Sequence, residues 1–264
     1  MLKQNSFRDR NLVRTTIADC SITKADIVYE IEPEDELITS ELAEVARKVI
    51  VLVKQPDRAN LLRSQLINLN NVELYEVDFL RYEIQDRAYK VFSNITSTIP
   101  SEVIRKLLSA KTPPLDSFLV VREDIANRYS GTPKETESSV LVKPRFEVTI
   151  ARKFRRIDFE PAPSVDIVLL NLKKHKKPLI SPLEENIYRN FITFSFDAGK
   201  KGLDSGYAQI FSDEQWKRIT KDLDVKLSIK PMELSFNQWL QLFGFFMKFI
   251  PDSKRMPLLK KKKK

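Results

Sequence analysis

The chain has 264 residues, 42% of them apolar, and a formal net charge of +9, enough apolar material for a large core plus a smaller second domain. A single cysteine, Cys20, excludes an internal disulfide and a cysteine zinc site. No apolar run reaches the ~20 residues that span a bilayer, and the polar stretch from Met1 to Arg14 is no signal peptide, so a soluble, cytoplasmic protein is expected.

The first segment, Lys3 to Thr23, places Gln4, Asn5, Ser6 and Phe7 before a helix around Arg10 to Ala18; amides beside an aromatic could fold over a ligand. Strand one is Ile27 to Ile31, and the next helix, Glu41 to Lys48, follows a turn, Glu32-Pro33-Glu34-Asp35-Glu36. A nucleotide loop at that place normally carries glycine, which takes positive φ cheaply and lets backbone approach the ligand. Here it carries none.

Strand two, Val49 to Val53, is the continuous apolar run of a parallel strand buried on both faces. Its tip, Val53-Lys54-Gln55, lacks the acid that holds ribose hydroxyls in dinucleotide folds. A helix over Ala59 to Ile67 leads to strand three, Val72 to Tyr75, and to Asp78, an acceptor for an adenine amine or a turn-capping aspartate. Strand four is Tyr89 to Phe92, followed by Ser93-Asn94-Ile95-Thr96-Ser97; a helix from Ser101 to Ala110 carries Arg105 and Lys106. Strand five, Ser117 to Val121, precedes a helix through Arg128 and a polar loop, Ser130 to Ser138, that holds the first glycine, Gly131.

A helix, Ser139 to Val142, then gives way to strands Phe146 to Arg152 and Val165 to Leu172, with Arg155, Arg156, Phe159 and Pro161 between them. Phe159 is either a base-stacking ring, an interaction of about 1–3 kcal/mol, or a core phenylalanine. Lys173 to Pro178 reads as a basic linker with the sole histidine, His175, solvated in it. Capped helices over Glu184 to Phe196, Asp213 to Leu223 and Ser235 to Phe249 form a small bundle with an aromatic core. Residues 1–140 hold 19 Lys/Arg against 22 Asp/Glu, and residues 141–264 hold 26 against 14. The basic second half suits a polyanion, nucleic acid above all.

These residues resemble the Erm (erythromycin-resistance) group of ribosomal RNA adenine N6-methyltransferases. The resemblance runs from Gln4 to about Phe249. It is carried by Gln4-Asn5, Glu30-Ile31, Leu37-Ile38-Thr39, Asp78-Phe79-Leu80, Phe92 with Asn94-Ile95, and Lys143 to Glu147. Most specific is Phe159-Glu160-Pro161-Ala162-Pro163-Ser164-Val165-Asp166; Gln215 to Arg218 and Leu234 to Leu240 also match.

The resemblance implies an α/β fold: a Rossmann-like S-adenosylmethionine-dependent methyltransferase domain over residues 1–175, a small all-α RNA-binding domain over 176–250, and a basic tail over 251–264. It implies S-adenosylmethionine as cofactor, 23S ribosomal RNA as partner, no metal, a monomer, and resistance to macrolide-type antibiotics. Asn5, the backbone at Phe7, the backbone of Glu32, and Asn94 would line the cofactor pocket. Asp78 would hold the adenine of the cofactor, and Val53 stands at the ribose position. Asn94 would accept from the amine of a flipped-out target adenine and Phe159 would stack on it. Arg105, Arg152, Arg155 and Arg156 are candidates for RNA phosphate contacts.

Three departures fall on the chemistry: the family's three loop glycines are Glu32, Glu34 and Glu36, its ribose acid is Val53, and the aromatic of its N-I/L-P-Y/F motif is Ser97. The alternative expectation is therefore a catalytically inactive RNA-binding protein on the same fold.

Overall fold

The computed structural model describes residues 5–96, 99–253 and 255. Gln4, Ser97 and the Lys260 to Lys264 tail lie outside the described residues. Along the chain run β1 (Ser6–Phe7), α1 (Arg10–Ala18), β2 (Ile27–Ile31), α2 (Leu37–Val45), β3 (Lys48–Val53), α3 (Pro56–Gln65), β4 (Val72–Glu76), β5 (Lys90–Asn94), α4 (Pro100–Ser109), β6 (Asp116–Arg122) and α5 (Glu123–Ser130). Then come α6 (Glu137–Val142), β7 (Phe146–Phe154), a 3₁₀ turn (Arg156–Asp158), β8 (Phe159–Glu160) and β9 (Ile167–Lys174). The helices α7 (Glu185–Ala198), α8 (Leu203–Tyr207), α9 (Asp213–Asp222) and α10 (Phe236–Phe249) follow.

Seven strands form one sheet in the order β4-β3-β2-β5-β6-β9-β7. The first five are parallel, and β9 runs antiparallel to β6. Burial follows position. The central β3 and β6 are almost wholly buried, as their apolar runs require, whereas β4 and β7, at the two ends of the order, alternate with solvent. This is the mixed α/β, Rossmann-like architecture expected.

The first helix after β2 begins and ends earlier than expected. Asp35 accepts from the Leu37 N–H at 3.0 Å, which starts α2 at once, and Ala46 is extended at ψ 159°, which frees Lys48 to pair with Ile27 in the sheet.

By contacts the chain divides into two units, Met1–Ala126 with Glu147–Lys174, and Asn127–Phe146 with His175–Lys264. The expected division near residue 175 thus needs correction for 127–146. In the second unit, the Tyr188 hydroxyl donates to the Val140 carbonyl at 2.9 Å, Thr193 donates to Glu137 at 2.7 Å, and Val140 joins the core of Phe191, Tyr207, Trp216, Trp239 and Phe246. His175 is not loosely solvated either: its N–H donates to the Arg145 carbonyl at 2.9 Å, and its ring Nε2 meets the Lys143 carbonyl at 3.1 Å. Lys173 and Lys174, read as linker, belong to β9.

Candidate active site

Strand β2 lies between β3 and β5, and the chain leaves it toward one edge through β3 and β4 and toward the other through β5 and β6. Open α/β sheets bind ligands beyond the strand ends at such a switch point. Here that switch point belongs to the first unit.

At the tip of β2, Glu30 is buried; its Oε2 accepts from the Thr39 hydroxyl at 2.5 Å, and its Oε1 has no partner among the described residues. Burial pushes its carboxyl up to about 8. The neighbouring Ile31 N–H donates to the Ser93 hydroxyl of β5 at 2.8 Å. Glu32 then takes φ +50°, so the loop keeps a left-handed turn of the kind glycine adopts readily, at a cost of roughly 1–2 kcal/mol for a side-chain-bearing residue. Its N–H donates to the Leu52 carbonyl at 2.8 Å. Its carboxylate accepts from the Lys54 N–H, at 3.0 and 3.2 Å to the two oxygens, and burial raises its pKa.

The expected ribose position, Val53, is fully buried. Beyond it, Lys54 pairs with Asp78 at 2.8 Å and Arg58 of α3 pairs with Glu34 at 3.0 Å. Asp78 also accepts from the Leu80 N–H at 2.9 Å, the turn-capping role left open by sequence. The Lys54 ammonium holds its carboxyl below the ordinary aspartate value. Asp78 borders a cavity of about 620 Å³ with Val77, Arg81, Tyr82, Glu83 and Gln85.

A two-stranded pairing invisible in the sequence brings the other candidates together. β1 pairs antiparallel with β8, Phe7 opposite Phe159 and Ser6 opposite Glu160. Asn5 donates to the Pro161 carbonyl at 2.6 Å, and Asn94, the last residue of β5, donates through Nδ2 to the Asn5 carbonyl at 2.7 Å. The Asn94 Oδ1 meets the Thr96 N–H at 3.4 Å. Phe159 does not stand open as a stacking ring: it is wholly buried, with its ring centroid 4.7 Å from that of Phe7 and 5.7 Å from that of Phe154. The apolar partners on β1 and β7 outcompete water for that ring.

Three of the four arginines expected to meet phosphate are engaged within the chain. Arg152 pairs with Asp19 at 3.6 Å and donates to Thr16 at 2.9 Å. Arg155 pairs with Asp158 at 2.8 Å and Arg156 with Asp166 at 3.0 Å; Arg105 stands exposed on α4. Sequence reading missed Glu30 and Lys54, whose signal was their place at two adjacent strand tips. Among the described residues no three or more His, Cys, Asp or Glu gather as a metal site, and no helix is long and apolar enough to cross a membrane.

S-adenosylmethionine joins a methionine to a nucleoside, and the strand tips offer acceptors to it: the Glu32 carboxylate at the Lys54 N–H and Asp78, with the left-handed turn kept at Glu32. The residues fit the group, the side chain of Glu32 being the departure to explain.

A family model described as ribosomal RNA adenine dimethylase matches residues 1–248. The ribosomal RNA small subunit methyltransferase A of Chlorobium phaeobacteroides (strain BS1) is 24% identical over 249 residues, covering 92% of this chain and 91% of its own. The rRNA adenine N-6-methyltransferase of Limosilactobacillus reuteri is 25% identical over 252 residues, covering 93% and 96%. Among solved structures, the 23S rRNA methyltransferase ErmE superposes with a TM-score of 0.85 at 23% identity, over 92% of this chain and 100% of that one, a likeness of fold. With the family model spanning nearly its whole length, the chain belongs to the ribosomal RNA adenine dimethylase family, which implies S-adenosylmethionine as its cofactor.

Proposed function

We propose that the chain is an adenine N6-methyltransferase of 23S ribosomal RNA, acting in the cytoplasm as a monomer and giving macrolide-type resistance. The observation that carries the reading is the 2.7 Å bond from Asn94 Nδ2 to the Asn5 carbonyl. The amide oxygen of the same side chain, which the Thr96 N–H meets at 3.4 Å, is an acceptor. An exocyclic adenine amine flipped out of the RNA would donate to it. The cofactor supplies an electrophilic methyl group when bound. The chain's contribution is to position the amine and to stabilise the charge that develops on it with amide and carbonyl oxygens. Asn5 and the backbones of Phe7 and Glu32 would line the methionine side, and Asp78 the adenine side. Phe159 would reach the base only after its ring leaves the Phe7 and Phe154 contacts. Arg105, Arg152, Arg155 and Arg156 are the proposed phosphate contacts, the last three exchanging carboxylate partners for phosphate.

What supports 23S over 16S rRNA is the run Phe159 to Asp166, quoted above for the Erm resemblance. Transfer of labelled methyl to protein-free 23S rRNA, with 16S rRNA and small subunits in parallel, tests it. Label in 23S that vanishes in Asn94→Ala is expected; label confined to the small-subunit RNA would overturn the target.

A second reading, an RNA-binding protein without transfer, is favoured by the Lys54–Asp78 and Arg58–Glu34 pairs, which occupy carboxylates around the crevice. It predicts salt-dependent RNA binding and no heat on titration with S-adenosylmethionine.

A further inference from the structure

In doubly wound sheets an acid at the tip of the second parallel strand holds the ribose hydroxyls of a nucleotide. The equivalent tip here ends in Val53, whose side chain is fully buried and has no polar atom to offer. A carboxylate nevertheless lies there. It comes from Glu32, at the end of the adjoining strand. The Glu32 N–H continues the β2–β3 pairing one residue further by donating to Leu52 at 2.8 Å, and φ +50° lets the side chain turn back onto the Lys54 N–H, at 3.0 and 3.2 Å.

We propose that Glu32 replaces the missing ribose acid, holding the 2′,3′-diol of a nucleoside cofactor at the tip of β3. The acid has moved from one strand to its neighbour, from residue 53 to residue 32. An ionised carboxylate has about four lone-pair sites; a single N–H shared between its two oxygens leaves acceptors for both hydroxyls. The second glutamate of the loop, Glu34, is drawn off by Arg58 at 3.0 Å, so one acid, rather than two, faces the diol. Asp78, tied to Lys54 at 2.8 Å and bordering the 620 Å³ cavity, lies on the adenine side of the same carboxylate. Burial that raises the Glu32 pKa is what a donor-rich diol would offset.

The proposal rests on the methyltransferase reading, and calorimetry separates the two. The probes are S-adenosylhomocysteine and its 2′-deoxy analogue, titrated into the full chain, Glu32→Gln, and Glu32→Gly combined with Val53→Glu, with melting curves to confirm folding. A hydrogen bond to a charged group is worth roughly tenfold or more in affinity. The wild type is expected to prefer the ribose form about tenfold, Glu32→Gln to lose that preference by weakening the ribose form alone, and the double variant to regain it. An unchanged preference in Glu32→Gln, or tighter binding by it, overturns the proposal while leaving the methyltransferase reading intact. Absence of binding by the wild type overturns both.

Discussion

Replacing Glu30 by glutamine should raise stability at neutral and alkaline pH. Among the described residues the fully buried Glu30 is bonded only through Oε2, to Thr39, and burial lifts its carboxyl to about 8. In the unfolded chain it returns to the ordinary glutamate value of about 4.3. Between those two values the folded state holds a proton that the unfolded state has released, so stability falls as pH rises. It is fully present below about 4.3 and is lost as pH climbs through about 8. At about 1.4 kcal/mol per pH unit, the whole window corresponds to on the order of 5 kcal/mol. Glutamine keeps an acceptor for Thr39 and carries no titrating proton. Urea unfolding followed by far-UV circular dichroism at pH 5, 6, 7, 8 and 9 measures the difference between the two chains, in which other titrating groups cancel. The wild type should lose roughly 1.4 kcal/mol per pH unit relative to Glu30→Gln up to about pH 8, above which the difference stays constant with the variant the more stable. Parallel stability curves would refute the buried, uncompensated carboxyl.

Other consequences follow from the same contacts. Asn94→Ala should abolish methyl transfer while costing on the order of 1–3 kcal/mol in unfolding free energy, since the side chain bonds both the Asn5 carbonyl and the Thr96 N–H. Phe159→Ala empties the centre of the Phe7, Phe154 and Phe159 cluster and should cost about 3–5 kcal/mol in chemical denaturation; a loss below 1 kcal/mol would show that the ring is not packed as described. Arg105→Ala should weaken RNA binding about equally for all sequences and lower the salt slope by about 1, measured by filter binding across a salt series.

Periodicity and apolar runs made the sheet legible because Val49 to Val53 of β3 and Phe118 to Val121 of β6 are buried throughout and carry only apolar side chains. Boundaries failed where a side chain decides them, as Asp35 does in starting α2 at Leu37. The two-residue strands β1 and β8 carry no period to read; only their pairing across more than 150 residues of chain makes them strands, and that pairing is what places Asn5 beside Asn94. The same holds for residues 127–146, whose place in the second unit depends on Val140 meeting Tyr188. At the site, the missing acid of Val53 was visible in sequence, but the Glu32 carboxylate above Lys54 was not, because a positive φ redirects a side chain in a way that composition does not encode.

The most direct measurement is a calorimetric titration of the full chain with S-adenosylmethionine. One saturable site per chain is expected in spite of the glycine-free loop, with affinity reduced in Glu32→Gln. No detectable heat at millimolar cofactor, with ribosomal RNA still bound by the same preparation, would contradict it.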